Sequence, residues 1–191
     1  MGDPYTSDAA EFLVGTLFGI YILLVMLRCL FQIVRADFYN PLSQFVVKVT
    51  NPPLRPLRNF IPGFYGVDTS SVILMFVLKI IELYLVISLR GGSGSLVGIS
   101  VLAIADLLGL LVTIYLFAII VLVIISWINP GVHNPVIGLL RSLTEPLLRP
   151  ARRLVGTGAG LDFSPLIVML GLVLCQKLVI ARLLDIGRQL L

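Results

Sequence analysis

One segment of this chain occurs twice, at residues 40–68 and again at residues 134–162, and the two copies align without a gap. Long apolar runs lie on both sides of each copy. A self-similar segment at a fixed spacing indicates a structural repeat, and apolar runs of this length are typical of helices that cross a bilayer. The sequence therefore predicts a tandem repeat built across a membrane. The two copies have identical residues at these paired positions: Asn40 and Asn134, Pro41 and Pro135, Thr50 and Thr144, Pro52 and Pro146, Leu54 and Leu148, Arg55 and Arg149, Pro56 and Pro150, Arg58 and Arg152, Asp68 and Asp162.

The amino-acid composition also indicates a membrane protein. Hydrophobic residues make up 58% of the 191 residues and charged residues only 13%, with a mean hydropathy of +1.06. Soluble globular proteins are about 45–50% apolar and about 25% charged, so the shortage of charge excludes an ordinary soluble domain. The basic residues lie between apolar runs with few aromatic residues among them, which argues against nucleic acid as a partner.

Four apolar runs are long enough to cross about 30 Å of hydrocarbon as helices. We predict membrane spans at residues 12–34, 71–89, 107–128 and 165–184. The Gly/Ser-rich segment at residues 91–95 is typical of a flexible connection, so residues 1–95 form the first repeat and residues 96–191 the second. Residues 96–105 are either an interfacial or re-entrant segment or an extension of the third span. The expected fold is all-α, with four membrane spans in two parallel repeats.

Between the two spans of each repeat, the sequence predicts a broken pair of amphipathic helices at the membrane interface. Asn40 and Pro41 are typical of a helix start, as the cap and the first helical residue. The Asn-Pro-Pro run at residues 51–53 predicts a break, because proline removes a backbone donor and restricts the residue before it. The pair either lies on the membrane surface or caps the bundle. Apolar residues recur with helical spacing at Leu42, Phe45, Val46 and Val49, and in the second copy at Val136, Leu139, Leu140 and Leu143.

The arginines of the repeat form the first candidate site. Arg55 and Arg58 are three positions apart and share a helix face, as do Arg149 and Arg152 in the second copy, which is followed by Arg153. With the other identical polar and proline residues of the motif, we expect them to hold anionic lipid head groups or an acidic partner segment. The alternative is that the arginines only set the orientation of the protein in the membrane.

The second candidate site consists of polar residues inside the predicted spans: Lys79, Glu82, Asp106, Gln176 and Lys177. Lys79 and Glu82 are one turn apart and can neutralise each other. Glu82 and Gln176 occupy equivalent positions in the two repeats, so they could meet near the pseudo-symmetry axis. Such residues either hold helices together or form an ion or proton path. Arg28 is expected to extend towards lipid head groups, with a buried functional arginine as the alternative.

The distribution of basic residues predicts the orientation. Lys and Arg concentrate in the two motif segments, and the connection between the repeats carries Arg90 alone. By the positive-inside rule, both motif segments face the cytoplasm and both termini lie on the periplasmic side. The connections that contain the motifs, residues 35–70 and 129–164, contribute Arg35, Lys48, Arg55 and Arg58 in the first repeat and Arg141, Arg149, Arg152 and Arg153 in the second.

The repeated motif resembles that of the YggT family, also called YlmG, of small bacterial and plastid membrane proteins. The elements that carry the resemblance in the first copy are Asn40, Pro41, Thr50, Pro52, Leu54, Arg55, Pro56, Arg58, Ile61, Pro62 and Asp68. The second copy departs from the pattern with Val155 and Gly156 in place of Ile61 and Pro62. The resemblance covers nearly the whole chain and implies a multi-pass protein of the bacterial inner membrane. It implies links to osmotic or ion stress tolerance, to cell-division gene neighbourhoods and, in plastids, to cytochrome maturation, but no defined reaction.

The sequence carries no recognisable catalytic motif. It has no phosphate-binding glycine-rich loop, no HExxH element and no plausible Ser/His/Asp set. The single histidine, His133, is a poor metal ligand alone and is expected to be a turn or cap residue. We therefore expect no enzymatic activity, cofactor or metal. The first interpretation is a non-enzymatic scaffold, or an assembly or stress-tolerance factor, that holds anionic lipid or a membrane-protein partner. The alternative is a small channel or transport-related protein that acts as a homo-oligomer.

Overall fold

The computed structural model describes residues 4–61, 63, 67–128, 134–155 and 162–191, and His133 lies outside these residues. In this part of the chain the fold is all-helical and contains no β-strand, as predicted. The elements are α1 (Pro4–Ile33), α2 (Pro41–Phe60), α3 (Thr69–Leu89), α4 (Leu96–Ile128), α5 (Pro135–Val155), α6 (Ser164–Cys175), a π-helical turn (Gln176–Ile180) and α7 (Ala181–Gln189). Four stretches are long and apolar enough to span a membrane: Thr6–Ile33, Thr69–Leu89, Leu96–Ile128 and Ser164–Gln189.

The segment preceding the third predicted span belongs to a single long helix. α4 runs without interruption from Leu96 to Ile128 over 33 residues, which at 1.5 Å per residue is about 50 Å. Of the alternatives for residues 96–105, the helix extension is therefore the observed one. A helix of this length exceeds the hydrocarbon thickness and must tilt or project from the bilayer.

The expected break in the amphipathic helices is absent. α2 continues through Pro52, Pro53 and Pro56, and α5 through Pro146 and Pro150. Each proline removes one helical donor, but the buried stripe of α2 extends across the proline segment, with Thr50 before it and Leu54 within it fully buried. Packing against the bundle therefore outweighs the local preference of proline for a helix end.

The face that α2 buries also differs from the predicted one. The buried residues are Ser43, Val46, Thr50 and Leu54, whereas Leu42 and Phe45 of the predicted apolar stripe are exposed. In α5, the predicted Leu139 and Leu143 are buried and Val136 is exposed. The periodicity identified an amphipathic helix, but it did not distinguish the apolar residues that face protein from those that are left for lipid.

The spans pair within each repeat. α1 packs most extensively against α3, and α4 against α7, while contacts between α3 and α4 join the two repeats. The central core lies where α1 meets α3, α4 and α5, and includes Val25 and Leu30 of α1, Met75, Ala118 and Leu143.

Two glycines allow the close approach of α4 and α7. A Cβ atom on Gly98 would lie 2.8 Å from the backbone of Leu190, and one on Gly187 would lie 2.7 Å from the side chain of Leu102. The Ser95 amide donates to the Leu191 carbonyl at 3.3 Å, and the Ser95 hydroxyl donates to the Leu190 carbonyl. The chain end is therefore tied to the start of α4.

Candidate functional site

Each repeat forms a corner where its first span, its amphipathic helix and the start of its second span meet. We call these the first corner (Arg28, Thr50, Arg58 and Asp68) and the second corner (Leu122, Thr144, Arg152 and Asp162). Positions in the two corners correspond at the 94-residue offset that separates Asn40 from Asn134. The motif residues are thus brought together mainly within each repeat.

The first corner is closed by an arginine from α1. Arg28 is 6% exposed, and its Nη1 donates to the Thr50 hydroxyl at 2.8 Å and to the Val47 carbonyl at 3.2 Å. The Thr50 hydroxyl donates in turn to the Val46 carbonyl at 2.6 Å. The expectation that Arg28 extends to lipid head groups was therefore wrong, because two acceptors on α2 are within its reach inside the protein.

An ion pair in the first corner joins α2 to the start of α3. The Arg58 guanidinium bonds the Asp68 carboxylate with Nη2 and, at 3.4 Å, with Nε. The Ser71 hydroxyl donates to the same carboxylate at 2.6 Å. Burial favours the neutral form of Asp68, but the bonds from Arg58 and Ser71 and the charges of Arg58 and Arg28 outweigh it and hold the pKa of Asp68 below its ordinary value. Asp68 is therefore a buried carboxylate that is fully used by the fold.

The two asparagines of the motif begin the amphipathic helices. The side-chain oxygen of Asn40 accepts the amide of Leu42 at 2.9 Å, and that of Asn134 accepts the amide of Val136 at 2.9 Å. The Asn40 amide also donates to the Pro135 carbonyl at 2.6 Å. The first asparagine therefore caps its own helix and joins the starts of α2 and α5, which explains why it is buried.

The second corner repeats the ion pair but has different neighbours. Arg152 Nε bonds Asp162 at 3.0 Å, and Arg152 Nη1 bonds Glu145 at 3.1 Å. Glu145 stands where the first repeat has Asn51, and it also pairs with Arg149 at 3.6 Å. Burial lowers the pKa of Arg152, but the bonds to Asp162 and Glu145 raise it above the ordinary value. Burial raises the pKa of Asp162, but the bonds from Ser164 and Arg152 outweigh burial and hold this pKa below its ordinary value.

No arginine closes the second corner from α4. Leu122 occupies the position of Arg28. Thr144 is fully buried like Thr50 and donates to the Leu140 carbonyl at 2.9 Å, but it accepts no arginine bond within the described residues. A cleft of about 890 Å³ lies here, lined by Leu122, Thr144, Glu145 and their neighbours on α4, α5 and α6. The corner that the arginine fills in the first repeat is therefore open in the second.

The arginines of the predicted site fall into two groups. Arg58 and Arg152, each with a side chain that is 39% exposed, bind the motif aspartates. Arg55, Arg149 and Arg153 are exposed. Arg149 lies 3.6 Å from Glu145, and within the described ranges Arg55 and Arg153 form no ion pair. The prolines Pro52, Pro56, Pro146 and Pro150 are exposed on the same helices. Arg55 and Arg149 therefore differ from Arg58 and Arg152 in that neither pairs with a motif aspartate.

The intramembrane polar residues form one cluster and one separate pair. Lys79 Nζ lies 2.9 Å from Glu82 and 3.3 Å from Asp106 of α4. Glu82 is buried, and its Oε2 has no hydrogen-bond partner among the described residues. Gln176 and Lys177 begin the π-helical turn, where Lys177 is exposed. Glu82 thus bonds Lys79 and not Gln176, and the described part of the chain has no group of three or more His, Cys, Asp or Glu residues arranged to hold a metal.

Sequence reasoning missed Glu145 and assigned Arg28 to the wrong environment. The signal available for both was the comparison of the two repeats, since Arg28 aligns with Leu122 and Glu145 with Asn51. Positions that differ between the two copies therefore indicate where the two corners make different contacts.

Comparison with known proteins places most of the chain in one family. The family model described as CCB3/YggT matches twice, at residues 7–89 and 101–183. An uncharacterised protein of Pseudomonas aeruginosa is 42% identical over 179 residues, covering 93% of this chain and 91% of that protein. The uncharacterised protein YggT of Escherichia coli is 38% identical over 169 residues, covering 85% of each chain. No solved structure matches.

Proposed function

The chain belongs to the CCB3/YggT family, and the two relatives named above are uncharacterised. We propose that the protein is a non-enzymatic membrane scaffold whose α2 and α5 hold anionic phospholipid head groups. The observation that carries the proposal is that each corner joins its amphipathic helix to the start of the next span through an Arg–Asp pair. The remaining basic residues of that helix then stay outside the protein.

The three faces of α2 match a helix at a bilayer surface. One face, with Thr50 and Leu54, is buried against the bundle. At about 100° per residue, Leu42 and Phe45 lie on a second face, where both are exposed. Lys48 and Arg55 are seven positions apart, so they share the third face, and both are exposed. Such a helix can contact protein, acyl chains and head groups at once.

The position of these helices favours the cytoplasmic leaflet of a bacterial inner membrane. Both α2 and α5 connect two spans, and together they carry seven of the 14 Lys and Arg residues of the chain. Basic residues near the cytoplasmic surface gain about 1 kcal/mol each from anionic lipid. The rigid attachment of both helices would let the protein organise lipid, and through lipid or direct contact a partner protein, at a fixed distance from its spans.

Native mass spectrometry of the full chain in detergent with added phosphatidylglycerol tests this proposal. We expect the double variant Arg55→Gln/Arg149→Gln to bind the lipid at least about fivefold more weakly, because each arginine contributes about 1 kcal/mol. Arg188→Gln is a matched control, since Arg188 on α7 is 69% exposed and Arg149 is 68% exposed, each with a carboxylate neighbour on its own helix. Equal lipid binding by the double variant and the control would contradict the proposal.

A second pair of substitutions separates geometry from charge. Arg55→Lys/Arg149→Lys keeps the charge but loses the planar guanidinium that binds phosphate through two parallel bonds. We expect normal insertion with partly reduced phosphatidylglycerol binding. Full binding would mean that the arginines act through charge alone.

One observation favours transport as a second candidate function. Glu82 has a buried carboxylate oxygen inside a membrane span with no hydrogen-bond partner in the described part of the chain, and ionisable residues in spans commonly line ion or proton paths. A cleft of about 580 Å³ contacts Glu82 and also Asp8, Glu11 and Asp106. Four spans enclose little space, so conduction would require an oligomer.

Cation flux in proteoliposomes tests the second candidate. The wild type is compared with Glu82→Gln, and with Asp185→Asn as a control for an exposed carboxylate of α7. Flux that only Glu82→Gln abolishes would make transport the primary function. Silent vesicles with verified insertion would remove this candidate.

A further inference from the structure

The cleft of the second corner is the feature of the molecule that the scaffold function leaves unused. The two repeats build the same corner from equivalent helices, but the first corner contains its own cation, Arg28. In the second corner the equivalent residue is Leu122, and the cleft of about 890 Å³ opens beside it. This volume is within the range of sites that bind small molecules, about 300–1,000 Å³.

The two carboxylates of the cleft share one close cation. Glu145 and Asp162 both line it, and both bind the single guanidinium of Arg152. Arg149 approaches Glu145 only at 3.6 Å and is largely exposed. Two carboxylates therefore share one close cation, whereas in the first corner one carboxylate, Asp68, lies near two arginines. Because Glu145 stands in the place of Asn51 and Leu122 in the place of Arg28, the second corner has one more carboxylate and one fewer buried arginine than the first.

The cleft also has a basic residue that can bind a negative group. Arg141 lines it and, within the described ranges, forms no ion pair. Arg141 is four positions before Glu145 on α5, so the two side chains lie one turn apart. The polar part of the cleft therefore offers separate sites for a cation and for an anion at neighbouring positions.

The remaining walls are apolar and belong to membrane spans. Ile119 and Leu122 of α4 face Leu166 and Met169 of α6 across the cleft. Trp127 and Phe163 lie at its edge and are exposed, as aromatic residues at a membrane interface commonly are. The occupant must therefore be an amphiphile that carries both charges on its polar end.

We propose that the second corner binds a phospholipid with a primary ammonium head group, of the phosphatidylethanolamine type. The ammonium binds Glu145 and Asp162 in the place that corresponds to the Arg28 guanidinium, the phosphate binds Arg141, and the acyl chains follow the walls formed by α4 and α6. This inference does not depend on the scaffold proposal, which concerns anionic lipid at Arg55 and Arg149. In this way the lipid supplies the second repeat with the cation that the first repeat carries in its sequence.

Thermal unfolding of the full chain in detergent, with one added lipid at a time, tests the proposal. Phosphatidylethanolamine is expected to raise Tm by several degrees. Phosphatidylcholine has the same phosphate but a quaternary ammonium that cannot donate hydrogen bonds, and phosphatidylglycerol has no ammonium, so both should raise Tm much less. Equal shifts from phosphatidylethanolamine and phosphatidylcholine would overturn the proposal.

Two variants locate the effect in the second corner. Glu145→Gln keeps the shape but removes a charge, and should weaken phosphatidylethanolamine binding about tenfold, as expected for loss of a charge-assisted hydrogen bond. Asp185→Asn, with the same charge change on exposed α7, should keep the full response.

Leu122→Arg recreates the first corner in the second repeat. It should raise Tm without lipid and abolish the response to phosphatidylethanolamine. A folded Leu122→Arg protein, or a Glu145→Gln protein, that retains the full response would overturn the proposal. If Leu122→Arg does not fold, the comparison of Glu145→Gln with Asp185→Asn decides the outcome.

Discussion

Arg28 of α1 and Thr50 of α2, which are 22 positions apart in the chain, are joined by a 2.8 Å hydrogen bond inside the protein. The bond links a membrane span to the amphipathic helix that follows it. Because the Thr50 hydroxyl also donates to the Val46 carbonyl, the threonine connects the buried guanidinium to the helix backbone just before the proline segment. The helix is thus supported at the point where its sequence most favours an end.

Replacing Arg28 with Leu should destabilise the protein by about 2 kcal/mol. The substitution gives the first corner the residue of the second, and removes hydrogen bonds from a charged donor, each of which contributes about 1.5–3 kcal/mol. The expected result is a lower Tm and a lower free energy of unfolding in mixed micelles. Arg35→Gln, at an exposed position just after the same helix, should change the Tm and the free energy of unfolding only slightly.

An Arg28→Leu protein as stable as the wild type would contradict this expectation. It would mean that the cost of desolvating the guanidinium cancels the stabilisation from its hydrogen bonds, as happens for some buried ion pairs. The bond would then determine the position of α2 without adding to stability.

The repeat made the fold predictable, because two copies of one motif between apolar runs leave few arrangements other than two similar pairs of spans. The same reasoning failed at residues 51–53, where local proline preference predicted a break in α2 and burial of Thr50 and Leu54 kept the helix continuous. It also failed at Arg28, because a sequence cannot show that acceptors on another helix lie within reach of a long side chain.

Stability at low pH should depend on Asp68 more than on Asp162. The folded pKa of each is held below its ordinary value. The stabilisation is therefore complete above the unfolded pKa of about 3.9 and is lost as pH falls through the folded value. The side chain of Asp68 is 6% exposed and that of Asp162 is 42% exposed, so solvent screens the second pair more.

Melting curves between pH 3 and pH 7 test this difference. Asp68→Asn should lower Tm at pH 7, with a cost of about 1–2 kcal/mol for losing the charge-assisted bonds, and should flatten the decline in Tm below about pH 4. Asp162→Asn should lower Tm at pH 7 by less, and should flatten the decline in Tm at low pH by less, than Asp68→Asn. An equal effect of the two variants would show that exposure does not control the contribution of the pair.

Glycine substitutions should distinguish the α4–α7 contact from the lipid-facing surface. Gly98→Ala places a Cβ atom 2.8 Å from the Leu190 backbone, and overpacking of this kind costs about 1–3 kcal/mol. Gly171→Ala in α6 meets nothing within 4 Å and should be neutral or stabilising by up to about 1 kcal/mol, because alanine favours the helix. Thermal unfolding of the two variants in one detergent measures the difference, and similar Tm values would contradict the close approach of the two helices.

The candidate sites were predictable only in part, and the reason differs between them. The Lys79–Glu82 pair follows from positions one turn apart on one helix, whereas the contact of Lys79 with Asp106 depends on how α3 packs against α4. Arg58 pairs with Asp68 and Arg55 does not, because of these two arginines only Arg58 lies within reach of the carboxylate. A helix-face argument groups residues three apart, but only the partner across the space between helices decides which of them faces inward.

The orientation in the membrane can be tested with single cysteines in a background that lacks Cys29 and Cys175. Lys48→Cys on exposed α2 and Arg188→Cys on exposed α7 lie near opposite ends of the spans, because α2 follows the end of α1 and α7 ends beside the start of α4. The positive-inside rule predicts that α2 faces the cytoplasm. A membrane-impermeant maleimide added to intact spheroplasts should therefore label Arg188→Cys and leave Lys48→Cys unlabelled until the membrane is permeabilised. The reverse pattern would place α2 and α5 on the outer surface, where cytoplasmic partners could not reach Arg55 and Arg149.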